Sequence, residues 1–288
     1  MEFVGVSEIA KKWGVSERTV RNDCAAGKVP GAFLQGKTWK IPVDAVRPVH
    51  KKNELLEILK QQKESHLKGG IYHKIQVAFA YNSNHIEGST LTEEQTRFIY
   101  ETKTIGVQKQ SVNVDDIIET INHFKCVDYV IDNALKPLTQ KFIKKLHYIL
   151  KSSTTDSQKV WFNVGEYKKL PNEIGGEQTC LPENVEQEME NLLRKYSSIK
   201  NKKLEDIVEF HQKFEKIHPF QDGNGRVGRL IMFKECLANN IVPFIIDDKY
   251  KTYYYRGLKE WDSERGFLLE TCLFMQDNFK KWLEYFRI

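Results

Sequence analysis

From Lys51 onward, apolar residues recur at intervals of three and four along most of the chain. This spacing is typical of amphipathic α-helices, because it aligns apolar side chains on one face. Strand signals concentrate in 160–181, where glycines and prolines punctuate a predicted hairpin. We therefore expect a mainly α-helical domain with one β-hairpin. The pattern predicts helices at about 52–66, 71–87, 92–104, 114–136, 138–152, 184–198, 204–217, 224–240, 249–261 and 265–286.

The first fifty residues follow a different pattern, which predicts two short helices joined by a turn. Ser7 and Ser16 are candidate N-caps, and Gly14 can take the positive φ of the turn. A hairpin follows, with strands predicted at 32–34 and 38–41. The apolar contact between the helices would be formed by Ile9, Ala10, Val15 and Val20.

The exposed side of the second short helix carries side chains suited to a DNA groove, namely Arg18, Thr19, Arg21 and Asn22. Together with the segments 27–31 and 39–42, this arrangement resembles the excisionase or MerR-like winged helix-turn-helix domain. The resemblance implies DNA binding. A small helical module that binds only protein remains the alternative.

Length and charge support two domains. A chain of 288 residues exceeds one small domain, and we expect residues 1–48 and 49–288 to fold separately. Residues 1–50 hold eight Lys/Arg and five Asp/Glu, which is +3 of the total formal charge of +5. The excess is modest, so only its arrangement points to a nucleic acid.

Composition points to a cytoplasmic protein. No run approaches the roughly 20 apolar residues of a membrane span, and the first ten residues lack the apolar core of a signal peptide. The five cysteines are odd in number and scattered, without a CxxC pair. A disulfide scaffold or structural zinc site is therefore not expected.

The densest chemistry lies in residues 218–229, between two predicted helices. Gly223 and Gly225 allow backbone amides to converge at a helix N-terminus, which favours phosphate binding. Arg226 and Arg229 lie three apart and can contact further phosphate oxygens.

Two further residues of this segment suit phosphate chemistry. Asp222 offers a hard oxygen ligand for Mg²⁺, and His218 is a base whose ordinary pKa lies near neutrality. A base, a metal ligand and an anion site would therefore lie within twelve residues.

The string HPFQDGNGRVGR at 218–229 matches the whole signature HxFx[DE]GNGRxxR, and the chain resembles the Fic (filamentation induced by cyclic AMP) family. The resemblance implies an all-helical domain that transfers AMP from ATP, with Mg²⁺, to a Ser, Thr or Tyr hydroxyl of a target protein. His218 would be the general base and Asp222 would hold the metal ion. The implied nucleotide-binding residues in this segment are Asp222, Gly223, Asn224, Gly225, Arg226, Val227, Gly228 and Arg229, with Asn224 on the α-phosphate, Arg226 on the β-phosphate and Arg229 on the γ-phosphate.

Two other segments resemble surroundings of this family's site. Residues 163–182 resemble the flap, a hairpin that covers the nucleotide and aligns the target by β-augmentation, although Lys168 stands where arginine is more usual. An adenosine pocket is implied near Tyr254. That aromatic run is equally compatible with core packing. The nucleotide contacts implied in the two segments are Asn172, Glu173, Ile174 and Gly175, and Tyr254, Tyr255 and Asp262.

The end of the helix predicted at 71–88 carries the pattern [ST]xxxE[GN], with Ser83 and Glu87 on one face. It resembles the inhibitory helix of the family. Glu87 would then pair with Arg229 and occupy the γ-phosphate position. A solvated carboxylate is the alternative.

The leading hypothesis is an autoinhibited protein adenylyltransferase. A DNA-binding transcriptional regulator whose Fic domain senses nucleotide is the second hypothesis. A third is a de-AMPylase or another nucleotidyl transferase on the same fold. The sequence does not identify the target protein. It is also compatible with either a monomer or a homodimer of this chain. No membrane partner is expected.

Overall fold

The computed structural model describes residues 2–25, 27–46, 54–106 and 111–288, and at Thr19 and Asn22 the backbone alone. The chain divides into two compact units, Met1–Lys52 and Asn53–Ile288. The predicted domain boundary at 48/49 lies outside the described residues. In the parts of the chain that the structure describes, no helix is long and apolar enough to cross a membrane.

The N-terminal unit contains two helices and a small antiparallel sheet in which the strand 38–42 lies between the strands 3–4 and 33–35. Gly14 has a φ of 65° and ends the first helix, as expected. The predicted cap at Ser7 is wrong: the helix begins at Val6, with Gly5 as its N-cap, so Ser7 lies within its first turn. The elements are β1 (Phe3–Val4), α1 (Val6–Trp13), α2 (Glu17–Ala25), β2 (Phe33–Gln35) and β3 (Thr38–Pro42).

A separate apolar core holds this unit together. The predicted contact between the helices is present, because Ile9, Ala10 and Val20 are buried and Val15 packs against them. On the opposite side of α2, Arg18 is exposed, and Arg21 is exposed and pairs with Glu17 at 2.5 Å. The side chains of Thr19 and Asn22 lie outside the described residues, and DNA binding by this unit stays a prediction.

The second unit is helical, with helices close to the predicted positions. Its one hairpin is shorter than expected: β4 (Glu173–Ile174) and β5 (Glu177–Gln178) pair antiparallel, and the rest of 163–181 is irregular. The helices are α3 (Glu54–Glu64), α4 (Ile71–Ile86), α5 (Glu93–Thr102), α6 (Val114–Asp132), α7 (Gln140–Lys151), α8 (Pro182–Ser198), α9 (Leu204–Ile217), α10 (Asn224–Ala238), α11 (Lys251–Lys259) and α12 (Gly266–Phe286).

Helix α10 is the centre of this unit. It packs against α4, α6, α7 and α9, and almost all of its residues are buried. Burial on all sides costs an apolar helix no desolvation of charged groups. Helix α10, however, also carries Arg226 and Arg229 into the interior. Buried charges require partners, so the neighbouring helices must supply carboxylates and other acceptors. That requirement organises the candidate site.

Candidate active site

His218 lies at the point where α9 ends. Its backbone takes a left-handed conformation (φ 52°, ψ 62°), and its amide donates to the carbonyl of Phe214 at 2.9 Å. Burial and the nearby charge of Lys168 lower the pKa of His218 to about 4. The imidazole is therefore neutral at physiological pH, which is the form that accepts a proton.

The loop after His218 is held by Asn224. Its amide oxygen accepts from the backbone amide of Phe220 at 2.8 Å, and its amide nitrogen donates to the Phe220 carbonyl at 2.9 Å. The Phe220 ring is buried and stacks on His147 at 3.9 Å. Both ends of the Asn224 amide thus help to close the loop, but the amide nitrogen has a second N–H. The expected contact of Asn224 with a phosphate stays a prediction.

Asp222 and Arg226 belong to a charged cluster that the sequence did not reveal. Lys151, only 2% exposed, donates to Asp222 Oδ2 at 2.6 Å, to Glu119 at 2.5 Å and to Asp156 at 3.0 Å. Arg226 bonds the other oxygen of Glu119 and donates to Asp222 Oδ2 at 3.1 Å. Two buried cations are thus matched by shared carboxylates.

Asp222 keeps an accessible, ionised carboxylate within this cluster. Burial opposes its ionisation, but the charges of Arg226 and Lys151 outweigh that effect and hold the pKa of this carboxyl well below its usual range. The Asp222 side chain is 46% exposed. A signal for Lys151 does exist in the sequence: it follows His147 by four residues, on the apolar face of α7.

Arg229 is held by the end of α4. Its guanidinium donates to Glu87 Oε1 at 2.7 Å, to the Ser83 hydroxyl at 3.1 Å and to the Ser83 carbonyl at 2.9 Å. The Glu87 carboxylate lies so close to Gly225 that a β-carbon at this position would collide with it. The predicted pairing of Glu87 with Arg229 is therefore present, directly at the N-terminus of α10.

Behind α10 lies a second polar group, formed by His211, Glu215 and Tyr254. The Tyr254 hydroxyl and His211 Nε2 are 2.7 Å apart, and the Arg229 guanidinium lies 5.8 Å from the centre of the Tyr254 ring. Burial raises the pKa of Glu215 to about 8, against the opposing charge of Arg229. His211 and Tyr254 are buried, and the Glu215 side chain is 13% exposed, so the group packs beside Arg229 in the interior.

Several residues predicted to contact a nucleotide occupy other places. Val227 is wholly buried in the core, Gly228 packs against His211 and Glu215, and Tyr254 is a core residue. Their side chains therefore contact protein in this structure, and a direct contact of these residues with a nucleotide stays a prediction.

The remaining predicted contacts are accessible. Tyr255 is half-exposed, and its hydroxyl donates to the Ile86 carbonyl at 3.2 Å. Asp262 is exposed and pairs with Lys216 at 2.8 Å. In the hairpin, Glu173 and Ile174 are exposed, and Gly175 forms its turn.

The base of the hairpin is joined to the loop. Asn172 donates to the Phe220 carbonyl at 3.3 Å, and the backbone amide of Lys168 donates to the Pro219 carbonyl at 2.9 Å. His147 makes a further link: Gly165 donates its amide to His147 Nδ1 at 2.8 Å, and His147 Nε2 lies 3.1 Å from the Asp222 carbonyl. Because Nδ1 accepts, Nε2 carries the proton and donates.

Known proteins match this helical unit. Residues 137–236 match the Fic/DOC family. The protein adenylyltransferase Fic of Drosophila grimshawi is 28% identical over 224 residues, covering 75% of this chain and 42% of that protein. The same-named protein of Nematostella vectensis is 27% identical over 184 residues, covering 62% and 42%. The chain therefore spans about two-fifths of the length of these curated relatives.

Solved structures share the fold. A Fic-domain-containing signalling protein from Bacteroides thetaiotaomicron superposes with a TM-score of 0.62 at 24% identity, covering 80% of this chain and 94% of that one. Fic-1 from C. elegans gives 0.62 at 17% identity, covering 81% and 72%. The signature loop, the family match and the shared fold thus all fall in the helical unit, which is similar to Fic domains.

Proposed function

We propose that the helical unit is an autoinhibited protein adenylyltransferase, which transfers AMP from ATP to a hydroxyl group of a target protein. One observation carries the proposal: a neutral His218, an ionised Asp222 and two arginines surround the N-terminus of α10. The adenylyltransferase relatives support ATP as the substrate.

In the proposed reaction, His218 accepts the proton of a Ser, Thr or Tyr hydroxyl. The oxygen attacks the α-phosphorus, the bond to the bridging oxygen of the β-phosphate breaks, and diphosphate leaves with that electron pair. The amides at the start of α10 would stabilise the charge that develops on the α-phosphate.

Asp222 is the candidate ligand for Mg²⁺. Within the described ranges, no group of three or more His, Cys, Asp and Glu side chains could hold a metal ion by itself. Asp222 would therefore hold Mg²⁺ jointly with phosphate oxygens, as one or two carboxylates usually do. When bound, the ion would neutralise charge on the departing diphosphate.

Autoinhibition is proposed from the Glu87–Arg229 pair. While Glu87 holds the guanidinium at 2.7 Å, Arg229 is not free to bind a γ-phosphate, and a carboxylate stands where that phosphate would come. Like charges repel, so ATP would bind in an unproductive position until Glu87 leaves.

The test is transfer of label from α-³²P-ATP to protein in host lysate. We expect Glu87→Gly to raise labelling at least tenfold, because it removes the carboxylate that holds Arg229. A glycine should be tolerated at this position because α4 has already ended. Glu87→Gln is the matched control for charge and should also be activated. Adding His218→Ala to Glu87→Gly should abolish labelling while ATP still binds.

A folded Glu87→Gly variant that binds ATP without labelling any protein would contradict the proposed activity. Other reactions on the same fold remain alternatives, among them de-AMPylation and transfer of another nucleotidyl group. A panel of labelled nucleotides separates these.

For the N-terminal unit we propose DNA binding, which is supported by exposed Arg18 and Arg21 on α2 and by Lys37 at the tip of the adjacent hairpin. Binding through phosphates weakens as salt rises. We expect the full-length protein to bind its own promoter at low salt, and Arg18→Ala with Arg21→Ala to weaken binding. No affinity at low salt would leave protein binding as the role of this unit.

A further inference from the structure

Lys168 is a buried lysine whose ammonium group has only neutral partners. The residue is 4% exposed, and its Nζ donates to the side-chain oxygen of Asn172 at 2.7 Å and to the Thr179 hydroxyl at 2.6 Å. Among the residues that the structure describes, no carboxylate lies within ion-pair distance of it. Burial lowers the pKa of Lys168 to about 8.

The two partners of Lys168 mark the two ends of the hairpin. Asn172 directly precedes β4 and Thr179 directly follows β5. They also bond each other, because the Thr179 hydroxyl donates to Asn172 Oδ1 at 2.6 Å. One ammonium group therefore closes the base of a hairpin that has only two residues in each strand.

The same segment bonds the residues that follow His218. Lys168 donates its amide to the Pro219 carbonyl at 2.9 Å, Leu170 donates to Gln221 at 3.4 Å, and Asn172 donates to the Phe220 carbonyl at 3.3 Å. Hairpin base and loop thus form one hydrogen-bonded assembly.

Stability alone does not account for a charge at this position. Burying an ammonium group with neutral partners is costly, and an apolar side chain of similar volume would avoid that cost. A lysine here is therefore better explained by a task that uses its reach and its charge.

We propose that Lys168 is a positioning residue that fastens both ends of the hairpin to the loop of His218, so that the target segment and the base keep a fixed relation. The proposal rests on the proposed transferase function. The positive charge of Lys168 has a second effect, because it favours the neutral form of the His218 imidazole.

The charged groups that face His218 come from three elements: Lys168 from the hairpin base, Asp222 from the loop and Glu87 from the end of α4. Burial and Lys168 lower the pKa of His218, whereas a hydrogen bond to the backbone of Glu215 and the two carboxylates raise it. Lys168 is thus the cation among them that keeps the base unprotonated.

The test compares Lys168→Met with Lys168→Arg in the full-length protein. NMR titration of the His218 ring, assigned with His218→Ala, should show a higher pKa in Lys168→Met and little change in Lys168→Arg. Limited proteolysis should cut residues 169–178 at least fivefold faster in Lys168→Met.

Thr179→Val separates the two effects, since it removes the hydroxyl that accepts from Lys168 and donates to Asn172 but leaves the charge. We expect faster cleavage of the hairpin in this variant with an unchanged pKa of His218. It also keeps the proposal testable if Lys168→Met does not fold.

In the Glu87→Gly background, Lys168→Met should lower AMP transfer at least tenfold while the ATP dissociation constant stays within twofold. An unchanged His218 pKa together with an unchanged cleavage rate would overturn the proposal. If Glu87→Gly transfers no AMP, the proposed function fails, but titration and proteolysis still decide the role of Lys168.

Discussion

Glu215 shows how strongly position governs the chemistry of a single residue. Its Oε1 atom is buried without a hydrogen-bond partner among the described residues, 4.0 Å from His211 Nδ1. Burial raises the pKa of its carboxyl to about 8, so the group is largely protonated in the folded protein at neutral pH. In the unfolded chain, with an ordinary pKa of 4.5, it is ionised.

This difference predicts that Glu215→Gln stabilises the protein. A raised folded-state pKa contributes stability below pH 4.5 that is lost as the pH rises toward 8, and a neutral amide of the same shape avoids that loss. We expect a gain of about 2–3 kcal/mol at pH 7 and less than about 1 kcal/mol at pH 5, from urea unfolding. An equal change at both pH values would contradict this.

Gly228 is required by space. A β-carbon there would lie 2.6 Å from Glu215 Oε1 and 2.7 Å from His211 Nδ1, both closer than a packed interior tolerates. Overpacking costs about 1–3 kcal/mol, which outweighs the roughly 1 kcal/mol that alanine gains over glycine in a helix.

We therefore expect Gly228→Ala to lower the free energy of unfolding by up to about 2 kcal/mol in urea titrations. The displacement of the His211 and Glu215 side chains should also move Arg229, which is the next residue on α10. A variant at least as stable as the natural protein would show that the two side chains move aside freely.

At the scale of elements, α4 acts through the end of its helix. Asn82 and Ser83 are neighbours, but only Ser83 faces Arg229, whereas Asn82 bonds Ala78 and the amide of Asp248. One helix face thus holds the arginine and the adjacent position fixes α4 to the segment before α11. This division supplies a matched pair of variants.

Ser83→Ala should release Arg229 only in part, because the Ser83 carbonyl and Glu87 still bind it. Losing one hydrogen bond to a charged group costs about 1.5–3 kcal/mol. We expect AMP labelling between that of the natural protein and Glu87→Gly, and no activation in Asn82→Ala. Equal labelling of Ser83→Ala and Asn82→Ala would show that the hydroxyl does not hold the arginine.

At the scale of the whole molecule, three wholly buried histidines govern the response to acid. Burial is the largest cause that lowers the pKa of each of them, and charges of Arg226 and Arg229 add to the effect in His123. The three histidines are His123, His147 and His211, and the pKa of each is about 3.

A depressed histidine pKa means that the unfolded chain binds the proton first. The stability is present above pH 6.5 and is lost as the pH falls toward 3, at about 1.4 kcal/mol per pH unit for each histidine. Glu215 acts in the opposite direction between pH 4.5 and 8. From pH 7 to pH 5 we expect these three histidines and Glu215 to give a net loss of about 3 kcal/mol, to which His218, with a pKa lowered to about 4, adds.

Urea unfolding at the two pH values measures this loss. The Glu215→Gln variant is the control, because without the opposing carboxyl the loss should grow by about 2–3 kcal/mol. A protein whose stability is equal at pH 7 and pH 5 would contradict the assignment of neutral buried histidines.

Helix positions and the loop of His218 were predictable because their signals are local. Periodic apolar residues place ten helices within a few residues of their observed ends, and the loop residues are contiguous in the chain. The pairing of Glu87 with Arg229 was also predicted, through a motif typical of the family. The bonds of Asn224 to Phe220 and the burial of Tyr254 were not predictable, because a polar side chain can bind a ligand or the protein itself and an aromatic run can line a pocket or the core.

By itself, the sequence determined two folding units, a helical architecture and the loop at 218–229, since periodicity and contiguous motifs require no knowledge of distant contacts. Only the tertiary structure decided which charges meet. Lys151 reaches Asp222 across 71 residues and Glu119 reaches Arg226 across 107. Such partners are chosen by the packing of α6, α7 and α10, because a buried charge accepts whichever opposite charge the fold brings within reach.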